Sequence, residues 1–223
     1  MIVDIKLEEK TILFVGEGHE FNQKMEQFRK ASRLMLIISP ENLENIAAAH
    51  ENVIYLGKDY SILLSVLERY KPLFIFISTD NSDIDRKLSD IARSKSVMVY
   101  VPDRNPLSDV NLCALLNYGP ISIAVSTSGK SPAMTVITKK KLSYAIKKLD
   151  IINQEVEGIV DLLSSLRVAV MQKIDSKELR KKIMYRLAVD PDIRASLKSA
   201  DKGYGKALKI IEDFEAGEKC TLQ

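Results

Sequence analysis

Short, nearly unbroken apolar runs recur through the first 125 residues, and each is followed by a longer amphipathic stretch. The runs are Thr11–Val15, Leu34–Ile38, Asn52–Tyr55, Leu73–Ile77, Val97–Val101 and Ile121–Val125. A strand with one wet face alternates apolar and polar residues. A run without that alternation is buried on both faces, as strands of a parallel sheet are. Between the runs, Asn22–Ala31, Glu41–Ala49, Tyr60–Tyr70 and Ser82–Ser94 carry helical spacing. Strand and helix in alternation predict an open α/β sheet.

From Pro132 onward the pattern is helical. Ile146–Ile174 reads as one long helix, and Ser176 is a plausible N-cap for the next, with Leu179, Ile183 and Leu187 on one face. Asp190-Pro191 should break that helix, and Gly203–Ala216 should form a last one stopped by Gly217. Of 223 residues, 46% are hydrophobic and 28% charged, which excludes a disordered chain. A net charge of +3 is too balanced to argue for nucleic acid. Cys113 and Cys220 are too few for a disulfide framework, and no recognisable metal-ligand spacing is present, so no resident metal is expected. No run of ~18 apolar residues and no apolar export signal near Met1–Lys10 is visible, which predicts a cytoplasmic protein off the membrane.

Thr11–Val15 runs into Gly16-Glu17-Gly18-His19-Glu20-Phe21. A G-x-G after the first strand lets the backbone turn tightly and lets a pyrophosphate approach a helix N-terminus. The third small position is Phe21, which should hold helix and strand apart, and Glu20 brings a negative charge toward the phosphates. Two readings therefore stand: a dinucleotide loop or a structural strand-to-helix turn. The acid expected ~20 residues on is Glu41, after Ser39-Pro40. It either holds ribose hydroxyls or sits in the first turn of the next helix. No arginine follows at once, so NAD is favoured over NADP. His19 either contacts a phosphate or is a solvated loop residue. Asp109 reads as a cap for a Val110–Asn117 segment.

Two later strings are more distinctive. Ser78-Thr79-Asp80-Asn81 closes the fourth run. Pro102-Asp103 follows the fifth, and Gly119-Pro120 leads into Ser126-Thr127-Ser128-Gly129-Lys130-Ser131-Pro132. With Lys24 after the glycine turn, these resemble the precorrin-2 dehydrogenase family, the enzymes and fused domains of siroheme synthesis. The matching positions are Lys24, Thr79, Asp80, Asp103, Pro120, Gly129, Ser131 and Pro132, and the resemblance covers nearly the whole chain. Tyr100 stands where that family usually has asparagine.

The resemblance implies an α/β fold, a Rossmann-like parallel sheet followed by a smaller dimerisation and helical region. Expected domains are 1–117 for NAD binding, 118–148 for dimerisation through a strand and a helix, and 149–223 helical. It implies NAD-dependent oxidation of precorrin-2 to sirohydrochlorin, with a homodimer and a tetrapyrrole substrate. The alternatives are a sirohydrochlorin ferrochelatase and a tetrapyrrole-binding homologue that has lost efficient NAD use. The methyltransferase domain fused in some relatives is not expected in this chain. Cofactor contacts fall on Gly16, Glu17, Gly18, His19, Glu20, Ser39, Pro40, Glu41, Thr79 and Asp80. Asp103 is the expected catalytic acid–base. Thr127, Ser128, Lys130 and Ser131 are the expected substrate contacts. Precorrin-2 carries eight carboxylates, so Arg86, Arg104 and Lys139–Lys141 are further candidate cations, the last three more simply a solvated helix face.

Overall fold

A computed structural model describes residues 2–196 and 200–221. Its contacts divide the chain into two units, Met1–Cys113 with Ser126–Ser131, and Ala114–Val125 with Pro132–Gln223.

The first unit is a five-stranded parallel sheet. Its strands are β1 (Thr11–Gly16), β2 (Leu34–Ile38), β3 (Val53–Gly57), β4 (Phe74–Ser78) and β5 (Met98–Tyr100), in the order β3-β2-β1-β4-β5. The connecting helices are α1 (His19–Arg29), α2 (Glu44–Ala49), α3 (Leu63–Tyr70) and α4 (Ser82–Ser94). α3 is preceded by a 3-10 turn at Tyr60–Ile62, where the spacing suggested one continuous helix. Strand order reverses between β1 and β4, and ligands of open α/β sheets bind beyond the carboxyl ends of the strands at such a point.

Alternate strand residues feed two separate cores. Leu13, Val15, Leu36, Ile38, Ile75, Ile77 and Val99 point to one face and pack with Leu63 and Leu67 of α3 and Leu88 of α4. Ile12, Phe14, Met35, Ile37, Phe74 and Phe76 point to the other and pack with Phe21, Met25 and Phe28 of α1. At ~25 cal/mol per Å² of apolar surface, burial on both faces is the main stabilising term for this sheet.

Asp109 is not a helix cap. Its carboxylate accepts the Val99 N–H at 2.9 Å, and its own N–H donates to the Val99 carbonyl at 2.7 Å. It thus satisfies part of the edge of β5, and it also pairs with Arg93 at 3.0 Å. The chain continues as a strand, β6 (Ala114–Tyr118), paired antiparallel with β7 (Ile121–Val125). So Ile121–Val125 lies outside the parallel sheet. Gly119, at φ 51°, and Pro120 form the two-residue turn of this hairpin.

α5 (Pro132–Lys148) packs on the hairpin, and Tyr118 donates to Ser143 Oγ at 3.2 Å. The expected single helix from Ile146 to Ile174 is broken. Asp150 is left-handed at φ 48°, and Asn153 caps α6 (Gln154–Lys173) by accepting the Val156 N–H at 3.1 Å. Ser176 caps α7 (Lys177–Val189) through the Leu179 N–H. Asp190 ends it, and its Oδ1 accepts the Asp192 N–H in front of α8 (Pro191–Ser196). α9 (Ala200–Thr221) runs through Gly217 rather than stopping there. Leu166, Val170, Ile183, Leu187, Ile193 and Ile211 form the shared core of these helices. Among the described residues, no helix is long and apolar enough to cross a membrane.

Candidate active site

Gly16 is the last residue of β1 and has φ 135°. A Cβ there would collide with the Ser78 carbonyl on the neighbouring strand, so only glycine fits. The Glu17 N–H donates to that same carbonyl at 2.9 Å. Gly18 has φ 93° and is the N-cap of α1. It has no side chain to cap the helix, so the N–H groups of the first turn keep their capacity for an anion. The helix begins earlier than the apolar spacing indicated, and His19 and Glu20 belong to its first turn. His19 is exposed.

Glu41 lies past β2 and ahead of α2, which starts at Glu44, so it is not in a helical first turn. Its Oε1 accepts the Gly18 N–H at 3.2 Å, and its Oε2 accepts from Asn22 Nδ2 at 3.5 Å. The carboxylate thus occupies one of the glycine-loop donors. Asn22 Oδ1 is buried beside it with no partner. Ser39 is fully buried, and its hydroxyl accepts the Glu41 N–H at 3.2 Å. Tyr55 holds the Ser39–Glu41 turn by donating its hydroxyl to both carbonyls, at 3.0 and 2.9 Å.

Phe21 lies between α1 and the sheet. It is fully buried, with its ring edge-on to Phe14 at 5.7 Å, and Phe14 stacks on Phe76 at 4.7 Å. The ring replaces the small residue by filling the space that α1 leaves above the sheet.

Thr79, past the end of β4, is buried. Its N–H and its hydroxyl both donate to Asp85 Oδ1, at 3.1 and 2.6 Å. The other oxygen of Asp85 pairs with Arg104 at 2.5 Å. One end of the Arg104 guanidinium is therefore engaged within the protein. Asp85 had no sequence signal, because an aspartate inside an amphipathic helix reads as surface. Nearby, the Tyr60 hydroxyl is buried with no partner. Burial, with the Glu17 and Asp85 carboxylates close by, pushes its pKa up to about 12. Asp80 is left-handed at φ 57° and exposed, and its Oδ2 would lie 3.6 Å from a Cβ on Gly18.

Asp103 lies just past β5, exposed and left-handed at φ 55°. Glu20 and Tyr100 share its surroundings. Partial burial, then the charge of Asp103, raises the Glu20 carboxyl above its ordinary range, against the opposing pull of Lys24. Tyr100 is raised by burial first and by Glu20 and Asp103 next. The glycine-loop helix and the post-β5 loop thus bring two carboxylates and a phenol together. The sequence singles out only Asp103 for proton chemistry; the raised Glu20 reads there as a phosphate repellent.

The serine segment joins this unit too. Ser128 and Gly129 are both left-handed, at φ 53° and 74°. A Cβ on Gly129 would lie 2.6 Å from Asn105 Oδ1, in the loop that carries Asp103. The Ser131 N–H donates to Thr127 Oγ1 at 3.1 Å, and the Lys130 N–H to the Thr127 carbonyl at 3.0 Å. This fixes the turn and leaves the Lys130 side chain exposed. Lys140 and Lys141 are exposed on α5.

Residues 3–114 match the family model described as "Putative NAD(P)-binding", and residues 119–143 match "Sirohaem biosynthesis protein central". The chain belongs to the family of putative NAD(P)-binding proteins that the first of these models describes. It is 25% identical over 194 residues to the siroheme synthase of Thioalkalivibrio sulfidiphilus, covering 85% of this chain and 37% of that one. It is 26% identical over 144 residues to the siroheme synthase of Hydrogenovibrio crunogenus, covering 64% of this chain and 30% of that one. The chain spans about a third of the length of these relatives. Among solved structures it is similar to SirC, a precorrin-2 dehydrogenase, with a TM-score of 0.63 at 19% identity, covering 96% of this chain and 99% of that one. That likeness shows the same fold.

The residues present fit a nicotinamide dinucleotide. Gly16 leaves no room for a side chain, Gly18 turns the chain at a positive φ, the first turn of α1 has no side-chain cap, and Glu41 stands past the end of β2 where ribose hydroxyls would lie.

Proposed function

We propose that this chain oxidises precorrin-2 to sirohydrochlorin with NAD as the electron acceptor. The observation that carries the reading is that the Gly16–Gly18 turn, Glu41 and Asp103 all follow the carboxyl ends of strands of one parallel sheet, in a member of this family. In this reading the turn and the His19 and Glu20 end of α1 take the pyrophosphate. Ser39, Pro40 and Glu41 form the ribose side, and Thr79 and Asp80 the wall beyond β4. Glu41 supports NAD over NADP, because a carboxylate accepts from ribose hydroxyls and repels a 2′-phosphate. Bound there, the nicotinamide supplies the hydride acceptor.

The substrate loses a hydride and a proton. Asp103 accepts the proton at the carboxylate oxygen facing the macrocycle. Glu20 and Tyr100 set the field around it. Lys130 pairs with a substrate carboxylate, and Thr127, Ser128 and Ser131 supply hydroxyl and amide donors. The protein acts as a homodimer through the hairpin and α5. Leu115, Met134, Val136, Ile137 and Tyr144 support this, being exposed apolar residues of that region.

The test is absorbance at 340 nm on adding precorrin-2 to purified protein with NAD or NADP. NADH formation, faster than NADPH formation, is expected. Absence of both with tetrapyrrole still bound would leave a binding protein. Iron insertion into sirohydrochlorin without NAD would make it a chelatase.

A further inference from the structure

We propose that the cleft between α6 and α7 binds a small organic anion with an apolar body. The cleft is built wholly within the helical unit and has a volume of about 410 Å³. That is the size of an ordinary small-molecule site. Arg167 comes from α6, and Lys177, Arg180 and Lys181 from α7. Among the described residues, no carboxylate lines it.

These cations are not balanced from within. The neighbouring Glu178 pairs with Lys182 at 3.1 Å. Among the described residues, Arg167, Lys177, Arg180 and Lys181 make no ion pair. Arg180 adds a second observation. Its Nη2 donates to the Asp175 carbonyl at 3.0 Å, while its Nε is buried with no acceptor. A buried donor without an acceptor is uncommon in native proteins, and it leaves the guanidinium of Arg180 without a neutralising partner. Like charges gathered without a counterion repel each other, and a bound anion removes that cost.

The apolar part of the ligand follows from the rest of the lining. Met171 and Met184 sit among the cations. Thioether side chains are flexible and polarisable and adapt to flat apolar surfaces. A site for inorganic phosphate would have no use for them, and a nucleic-acid surface would be broad rather than concave. The combination fits an anion of the size of a substituted aromatic dicarboxylate or sulfonate.

The test uses the full chain and needs neither NAD nor precorrin-2. The anionic probe 8-anilinonaphthalene-1-sulfonate is titrated by fluorescence beside its uncharged counterpart N-phenyl-1-naphthylamine. The double variant Arg167→Gln/Lys181→Gln changes two exposed side chains and should keep the wild-type circular dichroism. It is expected to weaken the sulfonate by about tenfold or more and leave the neutral probe within about twofold. Met184→Gln should weaken both probes. Sulfonate binding unchanged in the double variant overturns the proposal. So does loss of both probes in step in that variant, which would mean apolar surface alone.

Discussion

The two faces of the parallel sheet are packed with different chemistry and carry different kinds of acid. One face is aliphatic, with leucine, isoleucine and valine against α3 and α4. Its buried acid, Asp85, is held by Thr79 and Arg104. The other face is aromatic, with Phe14, Phe21, Phe28, Phe74 and Phe76 beneath α1 and with Tyr100 at its rim. Its acids, Glu20 and Asp103, are near each other and, in the described hydrogen bonds, tied to no cation at hydrogen-bond distance. A buried, paired carboxylate serves the fold, because its unpaired form is too costly to keep. A partly exposed carboxylate with a like-charged neighbour can change protonation without unfolding anything, and that is what proton transfer needs.

That contrast is open to test. The largest effect should come from Asp103→Asn, chosen because asparagine tolerates the left-handed φ of 55°. Oxidation should fall by ~10²–10⁴-fold while the melting temperature stays put. A wild-type rate would remove Asp103 from the chemistry. Next, Phe21→Ala should cost about 3–5 kcal/mol in urea unfolding, the usual cost of a cavity in place of a buried ring. If it instead tightened NAD binding with little loss of stability, Phe21 would after all be an obstruction in the loop.

Asp85→Ala should behave in the opposite way to Asp103→Asn. It orphans the Thr79 N–H and hydroxyl and should cost about 1–3 kcal/mol of stability, with activity falling only as the fold does. Full stability together with lost activity would reverse the roles of the two acids. The smallest effect is expected from Glu20→Gln. The folded protein holds the Glu20 proton more tightly than an unfolded chain does, where the pKa is 4.5. Its contribution to stability is thus present below pH 4.5 and fades as pH rises through the folded value. Because Glu20 is mostly solvated, wild type relative to Glu20→Gln should lose less than ~1 kcal/mol between pH 4 and pH 7. A difference of the other sign would mean that Lys24 outweighs Asp103 at this carboxylate.

Much of the sheet unit is legible in the sequence because strands buried on both faces leave apolar runs, although Ile121–Val125 shows such a run in a partly exposed hairpin strand. Leu34–Ile38 and Ser82–Ser94 have in the fold the bounds that their spacing predicts. β6 escapes such a reading because Ala114–Tyr118 is partly exposed and includes Asn117, so its pairing with β7 carries the structure rather than its own composition. The packing of Phe21 is hidden for a related reason. A loop motif describes six residues, whereas the room for a ring is made by Phe14 and Phe76 on two strands. Asp85 and the closeness of Glu20 to Asp103 are long-range facts, and no local spacing encodes them.

The path of the backbone bears on how the molecule is made. The chain leaves the sheet unit after Cys113, builds the hairpin strands, returns for Ser126–Ser131 and leaves again at Pro132. The serine turn is therefore flanked in sequence on both sides by residues of the other unit. On the ribosome, the sheet can assemble as soon as β5 has emerged, but the Ser126–Ser131 segment joins it only after the hairpin has been synthesised. A fragment cut at Cys113 would keep every strand of the parallel sheet and lose Lys130 together with the glycine that rests on Asn105. Shape and chemistry are thus finished at different moments of translation, and neither unit can be excised whole by a single cut.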